Sequence, residues 1–256
     1  MFKMIKEKIN RKLNQLSYSN AISIAASMTN HEAFSDIKSI NTGKSVALCG
    51  AGPTLSKYKP IDNCMHIALN RALLNDSIHY EWFITDDWDG IDFFQEEIIN
   101  FQGLKFFGHL IGVYDRLIPE SFCIKCGARR YYTDAYRISP YSCNIVCDID
   151  KMAIGNTLNI AMQAMQIALF TNPSIIYLVG CDASQGHFVQ PETLTKEQIA
   201  RHEQDIKMAV SGARVIEMWK DIKRFAAAYY PDTRIVSINP VGLKGIFEDE
   251  YQESEE

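Results

Sequence analysis

Residues 174–180 read Ser-Ile-Ile-Tyr-Leu-Val-Gly, an unbroken apolar and β-branched run closed by a glycine. Such a run is too short for a buried helix and suits a strand covered on both faces, the kind that parallel sheets use. Working outward, Ser45–Cys49 (SVALC), Met65–Leu69, Glu81–Thr85 (EWFIT) and Arg234–Ile238 (RIVSI) have the same character, and Leu104–Phe107 is a weaker member of the set. Residues 155–170, GNTLNIAMQAMQIALF, are apolar nearly all round and predict a central helix; residues 192–230 read as one or two more helices. Strands that alternate with helices in this way imply an α/β fold, a Rossmann-like and mainly parallel sheet with helices on both faces.

The rest of the chain is placed around that core. Residues 1–43 are expected to form a helical N-terminal extension, with one helix over MFKMIKEKINRKLNQL and a second from roughly Ala21 to Ile40. Residues 44–247 form the Rossmann-like domain, with a lid inserted at about 113–150, and residues 248–256 read as an acidic, disordered tail. In the first helix Phe2, Ile5, Ile9, Leu13 and Leu16 share one face and lysines the other. That pattern suits either contact with an anionic membrane surface or packing on the protein's own domain or a partner copy.

The composition is that of a globular protein. Of 256 residues, 47% are hydrophobic and 22% charged, which excludes a disordered or collagen-like chain. No apolar run approaches the ~20 residues of a membrane span, and there is no apolar leader, so a cytoplasmic location is expected, with the inner membrane face as its margin. Seven cysteines, an odd number without an export signal, favour reduced thiols. The net charge of −5 is polarised: Lys3, Lys6, Lys8, Arg11 and Lys12 stand at one end and Glu248, Asp249, Glu250, Glu253, Glu255 and Glu256 at the other. The near-neutral body argues against nucleic acid as a partner.

Ligands of open parallel sheets bind beyond the carboxyl ends of the strands, where strand order reverses. The loop Gly50-Ala-Gly-Pro-Thr54 follows the first strand and lacks Cβ atoms at Gly50 and Gly52, so its backbone can come close to a phosphate. Asp86, Asp87 and Asp89 follow EWFIT, where they suit a divalent cation, Mg²⁺, or a metal-free contact of Asp86 with a ribose or an acceptor hydroxyl. Gly155, Asn156 and Thr157 open the central helix and offer its N-terminus to an anion. Asp182, Ser184 and His187 follow the best strand, with His187 the leading acid/base residue and His202 the runner-up. Cys123, Cys126, Cys143 and Cys147 approximate a four-cysteine zinc site and equally suit buried thiols; Arg129, Arg130, Tyr131, Tyr132 and Arg137 fit a lid that meets an anionic substrate.

Taken together, SVALCGAGPTLSKYKPID, ALNRA, GNTLNIAMQAMQIALF, SIIYLVGCDASQGHF and VSINPVGLKGIF resemble, in order, the bacterial lipooligosaccharide sialyltransferases. Their relatives, the motility-accessory-factor glycosyltransferases and 6-hydroxymethylpterin-diphosphokinase-like proteins, share the arrangement. The likeness spans roughly residues 44–112 and 150–247. It implies a single Rossmann-like domain with a small lid, and a CMP-sugar donor used without an essential metal. On that resemblance Gly50, Gly52, Pro53 and Thr54 line the nucleotide's phosphate and ribose. Asn70 stands near the reactive sugar, and Thr85 or Asp86 where the family has a second asparagine. Gly155, Asn156 and Thr157 hold the cytidine and sugar, and Asn239-Pro240 lies near the base. The chain departs from the pattern twice: Ser184 and the His187–Phe188 region stand where the family has two phosphate-binding tyrosines, and no histidine falls near Val210–Ser211, the family's general-base position.

Three functions follow. The first is a glycosyltransferase that moves a sugar from a nucleotide donor to a cell-surface glycan or glycolipid, with His187, Asp86 or Asp182 as base and no required cofactor. The second is a Mg²⁺-dependent diphosphokinase of the pterin type, which would use Asp86, Asp87 and Asp89. The third is a non-catalytic nucleotide- or glycan-binding protein. Homo-oligomerisation is left open by the sequence.

Overall fold

The computed structural model describes residues 27–86, 88, 91–111, 117–134, 145–155, 159–183 and 212–252. Among these, one parallel sheet of nine strands organises the chain, in the order β6-β5-β4-β3-β2-β1-β7-β8-β9. The strands are β1 (Ser45–Cys49), β2 (Cys64–Leu69), β3 (Trp82–Thr85), β4 (Leu104–Ile111), β5 (Arg129–Asp134), β6 (Ile154–Gly155), β7 (Ile175–Val179), β8 (Arg234–Ile238) and β9 (Glu248–Glu250). From β1 the chain steps outward to β6, then returns to lay β7 against the free side of β1. Strand order therefore reverses between β1 and β7.

Alternating side chains feed two apolar layers. Val46, Leu48, Ile67, Leu69, Ile84, Phe106, Ile176 and Leu178 meet α4 (Ile160–Phe170) and α5 (Gly212–Tyr229) on one face. Ala47, Cys49, Ala68, Phe83, Phe107, Val179, Val236 and Ile238 face the other layer, built from 3-10 turns at Pro53–Lys57 and Asn70–Leu74, α2 (Gln95–Asn100) and α3 (Glu120–Cys126). Every residue of α4 from Ala161 to Phe170 is buried, in keeping with its all-round apolar sequence. The helix starts later than expected: Asn159 is its N-cap, its side chain accepting from the amide of Ala161 at 2.8 Å, while Gly155 belongs to β6.

The expected margins of the domain are part of its body. Of the second N-terminal helix the described residues hold Ser27, still helical, and, after a break, α1 (His31–Phe34), followed by turns in which Ser39 takes a positive φ of 59°. Phe34 lies in the core, its ring 5.7 Å from that of Phe106 and 5.5 Å from that of Tyr131. The segment expected as a lid supplies α3 and β5, so Arg129 and Arg130 do not stand free to meet an anion. Arg129 forms two bonds with Asp36, at 2.6 and 2.9 Å, and Arg130 donates to the carbonyl of Ile118 at 2.9 Å and pairs with Glu120. Tyr131 and Thr133, both fully buried, alternate with Arg130 and Tyr132, a strand signal that the basic residues disguise. Arg137 lies outside the described residues.

The acidic segment is likewise structured at its start. Glu248–Glu250 pair with Val236–Ile238 as β9. Arg234 grips the carboxylate of Glu248 at 2.7 and 2.8 Å, and the Gln252 side chain exchanges two 2.8 Å bonds with the backbone of Lys59. No helix among the described residues is long and apolar enough to cross a membrane.

Candidate functional site

The turns that follow β1 and β7 are laced into one unit at the point of strand reversal. The amide of Gly50 donates to the carbonyl of Val179 at 2.7 Å, and that of Gly52 to the carbonyl of Gly180 at 2.8 Å. The backbones approach so closely that a Cβ on Gly50 would lie 2.6 Å from the carbonyl oxygen of Gly180, which itself holds a φ of +59°. Asp182 completes the lacing. Its carboxylate accepts from the amide of Thr54 at 2.9 Å and from the Thr54 hydroxyl, and its carbonyl accepts from the amide of Gly242 at 2.8 Å.

This geometry refines the expected roles. The amides of Gly50, Gly52 and Thr54 are directed into the β7 turn, and the space a Cβ on Gly50 or Gly52 would need is filled by Gly180 and Asp182, so these glycines serve the close approach of the two turns to each other. Both oxygens of Asp182 are engaged by Thr54 and the side chain is buried, which makes it the clamp of this loop. Pro53 opens the following 3-10 turn and is exposed. Cys181, beside the lacing, is pushed up to about 12 by burial and, next, by the charge of Asp182; it stays a thiol at neutral pH.

Along the same sheet edge, Asn70 follows β2 and opens the 3-10 turn with a φ of 49°, and its buried Oδ1 has no hydrogen-bond partner among the described residues. The neighbouring Arg71 is buried with its guanidinium 4.9 Å from the centre of the Phe93 ring. Thr85 ends β3 fully buried, and its hydroxyl also lacks a partner among the described residues. Both residues lie at the carboxyl edge of the sheet, where ligands of open parallel sheets bind. Asn239, at the end of β8, serves the fold instead: its Oδ1 accepts from the amide of Gln252 at 3.0 Å, and its amide donates to the carbonyl of Glu250 at 2.8 Å.

Asp86 follows Thr85 and is partly exposed. Gln163 of α4 donates to its Oδ2 at 2.6 Å, and the Tyr131 hydroxyl of β5 donates to Gln163 Oε1 at 2.8 Å. Burial raises the Asp86 carboxyl above the usual carboxylate range, and the bond from Gln163 opposes that rise. A carboxyl tuned upward by burial and oriented by a buried amide is the usual setting of an acid/base group. Gly108 of β4 makes the assembly fit, because a Cβ there would stand 2.6 Å from the Cβ of Asp86 and 2.9 Å from the Tyr131 hydroxyl. The sequence assigns no role to Gln163 or Gly108, and it places Tyr131 in a lid that meets an anionic substrate rather than in the core behind Asp86. The available signal is a pair of glutamines, Gln163 and Gln166, inside an otherwise apolar, buried helix, where both must find polar partners.

The remaining expectations divide. Gly155 sits on β6, the edge strand far from β1 and β7, where its carbonyl accepts from Gln166 at 3.4 Å. Asp87, Asp89, Cys143, Asn156, Thr157, Ser184, His187 and His202 lie outside the described residues. Among the described residues no group of three or more His, Cys, Asp and Glu is placed to hold a metal ion. Of the four cysteines of the zinc reading, Cys123 and Cys126 are buried on α3, Cys147 is half-buried near Tyr230, and Cys143 lies outside the described residues.

No protein-family model and no curated protein matches the chain. The chain is similar to solved structures of glycosyltransferases. The sialyltransferase CstII from Campylobacter jejuni, with the substrate analogue CMP-3FNeuAc, shows 12% identity and a TM-score of 0.44 over 76% of this chain and 80% of that one. The Cst-II structure with a trisaccharide acceptor and CMP shows 14% identity and a TM-score of 0.43 over the same shares. The MAf glycosyltransferase from Magnetospirillum magneticum AMB-1 shows 12% identity and a TM-score of 0.48 over 85% of this chain and 35% of that one.

Proposed function

We propose that the protein is a nucleotide-sugar-dependent glycosyltransferase, with a CMP-linked sialic-acid-like sugar as the first donor to test and a cell-surface glycan or glycolipid as acceptor. The observation that carries this reading is the carboxyl edge of the sheet. The strand reversal between β1 and β7 lies on the same edge as an oriented, partly exposed carboxyl, Asp86, with the polar side chains of Asn70 and Thr85 at the ends of the neighbouring strands. The nucleotide is placed at this reversal, where ligands of open parallel sheets bind. Asp86 takes the proton of the acceptor hydroxyl as that oxygen bonds to the anomeric carbon, and the bond from that carbon to the phosphate oxygen breaks with its electron pair going to the nucleotide. His187 is the alternative base. The sequence motifs shared with the sialyltransferases support the CMP donor, and the basic face of residues 1–16 supports an acceptor presented at an anionic membrane.

The test is a thermal-shift panel with CMP, CMP-sialic acid, UDP- and GDP-sugars and ATP, each with Mg²⁺ or EDTA, followed by donor hydrolysis. Stabilisation by CMP that survives EDTA, with release of sialic acid from CMP-sialic acid, is the expected result. Stabilisation by ATP alone and only with Mg²⁺ would overturn it in favour of a diphosphokinase, and no response to any nucleotide would overturn it altogether.

A further inference from the structure

We propose that Tyr131 and Gln163 are positioning residues for Asp86: the phenol fixes the amide, and the fixed amide presents its NH₂ group to the carboxylate. The argument is one of donors and acceptors. An ionised carboxylate only accepts, a phenol below its titration can donate one bond, and a primary amide has a donor end and an acceptor end. The Tyr131 hydroxyl lies in the core with its pKa held well above the ordinary value by burial, so it keeps its proton. That proton goes to Gln163 Oε1 at 2.8 Å, which leaves only the amide nitrogen for Asp86, at 2.6 Å from Oδ2. The chain of bonds runs in one direction and matches the charged form of Asp86.

Removal of the phenol oxygen removes that constraint. The Gln163 amide can then turn, present its oxygen, and accept from a protonated Asp86 instead. Tyr131 therefore acts across the width of β4, through Gln163, and the gap that lets it do so is the missing side chain of Gly108. From α4 the neutral Gln163 faces Asp86, from β5 Tyr131, and from β4 only Gly108; the chain neighbours Asp87 and Asp89 lie outside the described residues. With Oδ2 held by the amide, Oδ1 is the oxygen left to take the acceptor's proton. That last role rests on the glycosyl-transfer reading; the positioning itself does not.

The experiment follows the ¹³C carboxyl resonance of Asp86 through a pH titration of the full chain, assigned with Asp86→Asn, in the unmodified protein and in Tyr131→Phe. The expected result is a midpoint about one unit higher in Tyr131→Phe, a roughly tenfold lower ratio of charged to neutral carboxyl at a given pH. Gln163→Met, which removes both bonds at similar volume, moves it at least as far and serves if Tyr131→Phe does not fold. An Asp86 midpoint unchanged in a folded variant overturns the proposal. In turnover of CMP-sialic acid, the acid limb of kcat moves upward by the same amount while KM for the donor stays fixed. Should the resonance move while the unmodified protein turns over no nucleotide sugar, the positioning stands and the glycosyltransferase reading falls.

Discussion

Asp182 holds Thr54 by two atoms at once, accepting from its backbone amide at 2.9 Å and from its hydroxyl. The two residues belong to the turns after β7 and β1, so this one side chain ties together the two halves of the sheet where strand order reverses. Asp182→Asn keeps the shape but replaces the charge-assisted bond from the Thr54 hydroxyl with a neutral one in which that hydroxyl must turn and accept. It should cost about 1–3 kcal/mol of stability, read by urea unfolding, and weaken nucleotide-induced stabilisation by more than the stability loss alone predicts.

Gly180 tolerates no side chain, because its left-handed backbone and the adjacent carbonyl of Gly50 exclude a Cβ. Gly180→Ala should lose about 1–3 kcal/mol or fail to fold. Gly43, also left-handed but open on the side where a Cβ would go, supplies the control: Gly43→Ala should be the milder change, and unfolding midpoints that rank the two in the opposite order would contradict the close approach.

Gly108→Ala inserts a methyl group between Asp86 and the Tyr131 hydroxyl. It should abolish donor turnover while a folded chain retains nucleotide binding, separable by a thermal shift with CMP beside a hydrolysis assay. An active Gly108→Ala protein would show that the Asp86 assembly is not needed.

His66 is buried against Tyr58, whose hydroxyl lies 3.0 Å from its Nε2, and burial lowers its pKa below 6.5. The unfolded chain then binds more protons than the folded one as the pH falls below 6.5. The stability that neutral His66 contributes is complete above that value and is lost as the pH falls through the folded one. Urea midpoints measured downward from neutral pH should decline, and His66→Gln should flatten the decline. His109, shifted the same way by burial and then by Arg130, adds in the same sense.

Much of this architecture is written locally. SVALC, EWFIT, SIIYLVG and RIVSI became β1, β3, β7 and β8 within a residue because an apolar run flanked by glycine or polar turns has few other outcomes. Other elements depend on what lies across from them. Arg129–Asp134 resembles a basic surface segment until Asp36, Ile118 and Glu120 are seen to satisfy its arginines. Glu248–Glu250 resembles a solvated tail until Arg234 is placed opposite. The lacing of Gly50 to Gly180 was foreshadowed by glycines at two strand ends. The Tyr131–Gln163–Asp86 chain joins residues 32 and 77 positions apart, a separation at which no sequence period carries information.

The last strand, finally, has a consequence for how separate molecules of this protein meet. β9 lies along the outer side of β8, covering backbone groups that would otherwise bound a strand carrying Val236 and Ile238. A chain cut after Phe247 would present that apolar strand as an open template for pairing with another copy. In its place the intact protein shows a rim of three acidic residues, whose like charges push neighbouring sheets apart. Truncation at that point should therefore turn a monodisperse sample into an aggregating one, visible by light scattering, before it measurably disturbs the far side of the sheet.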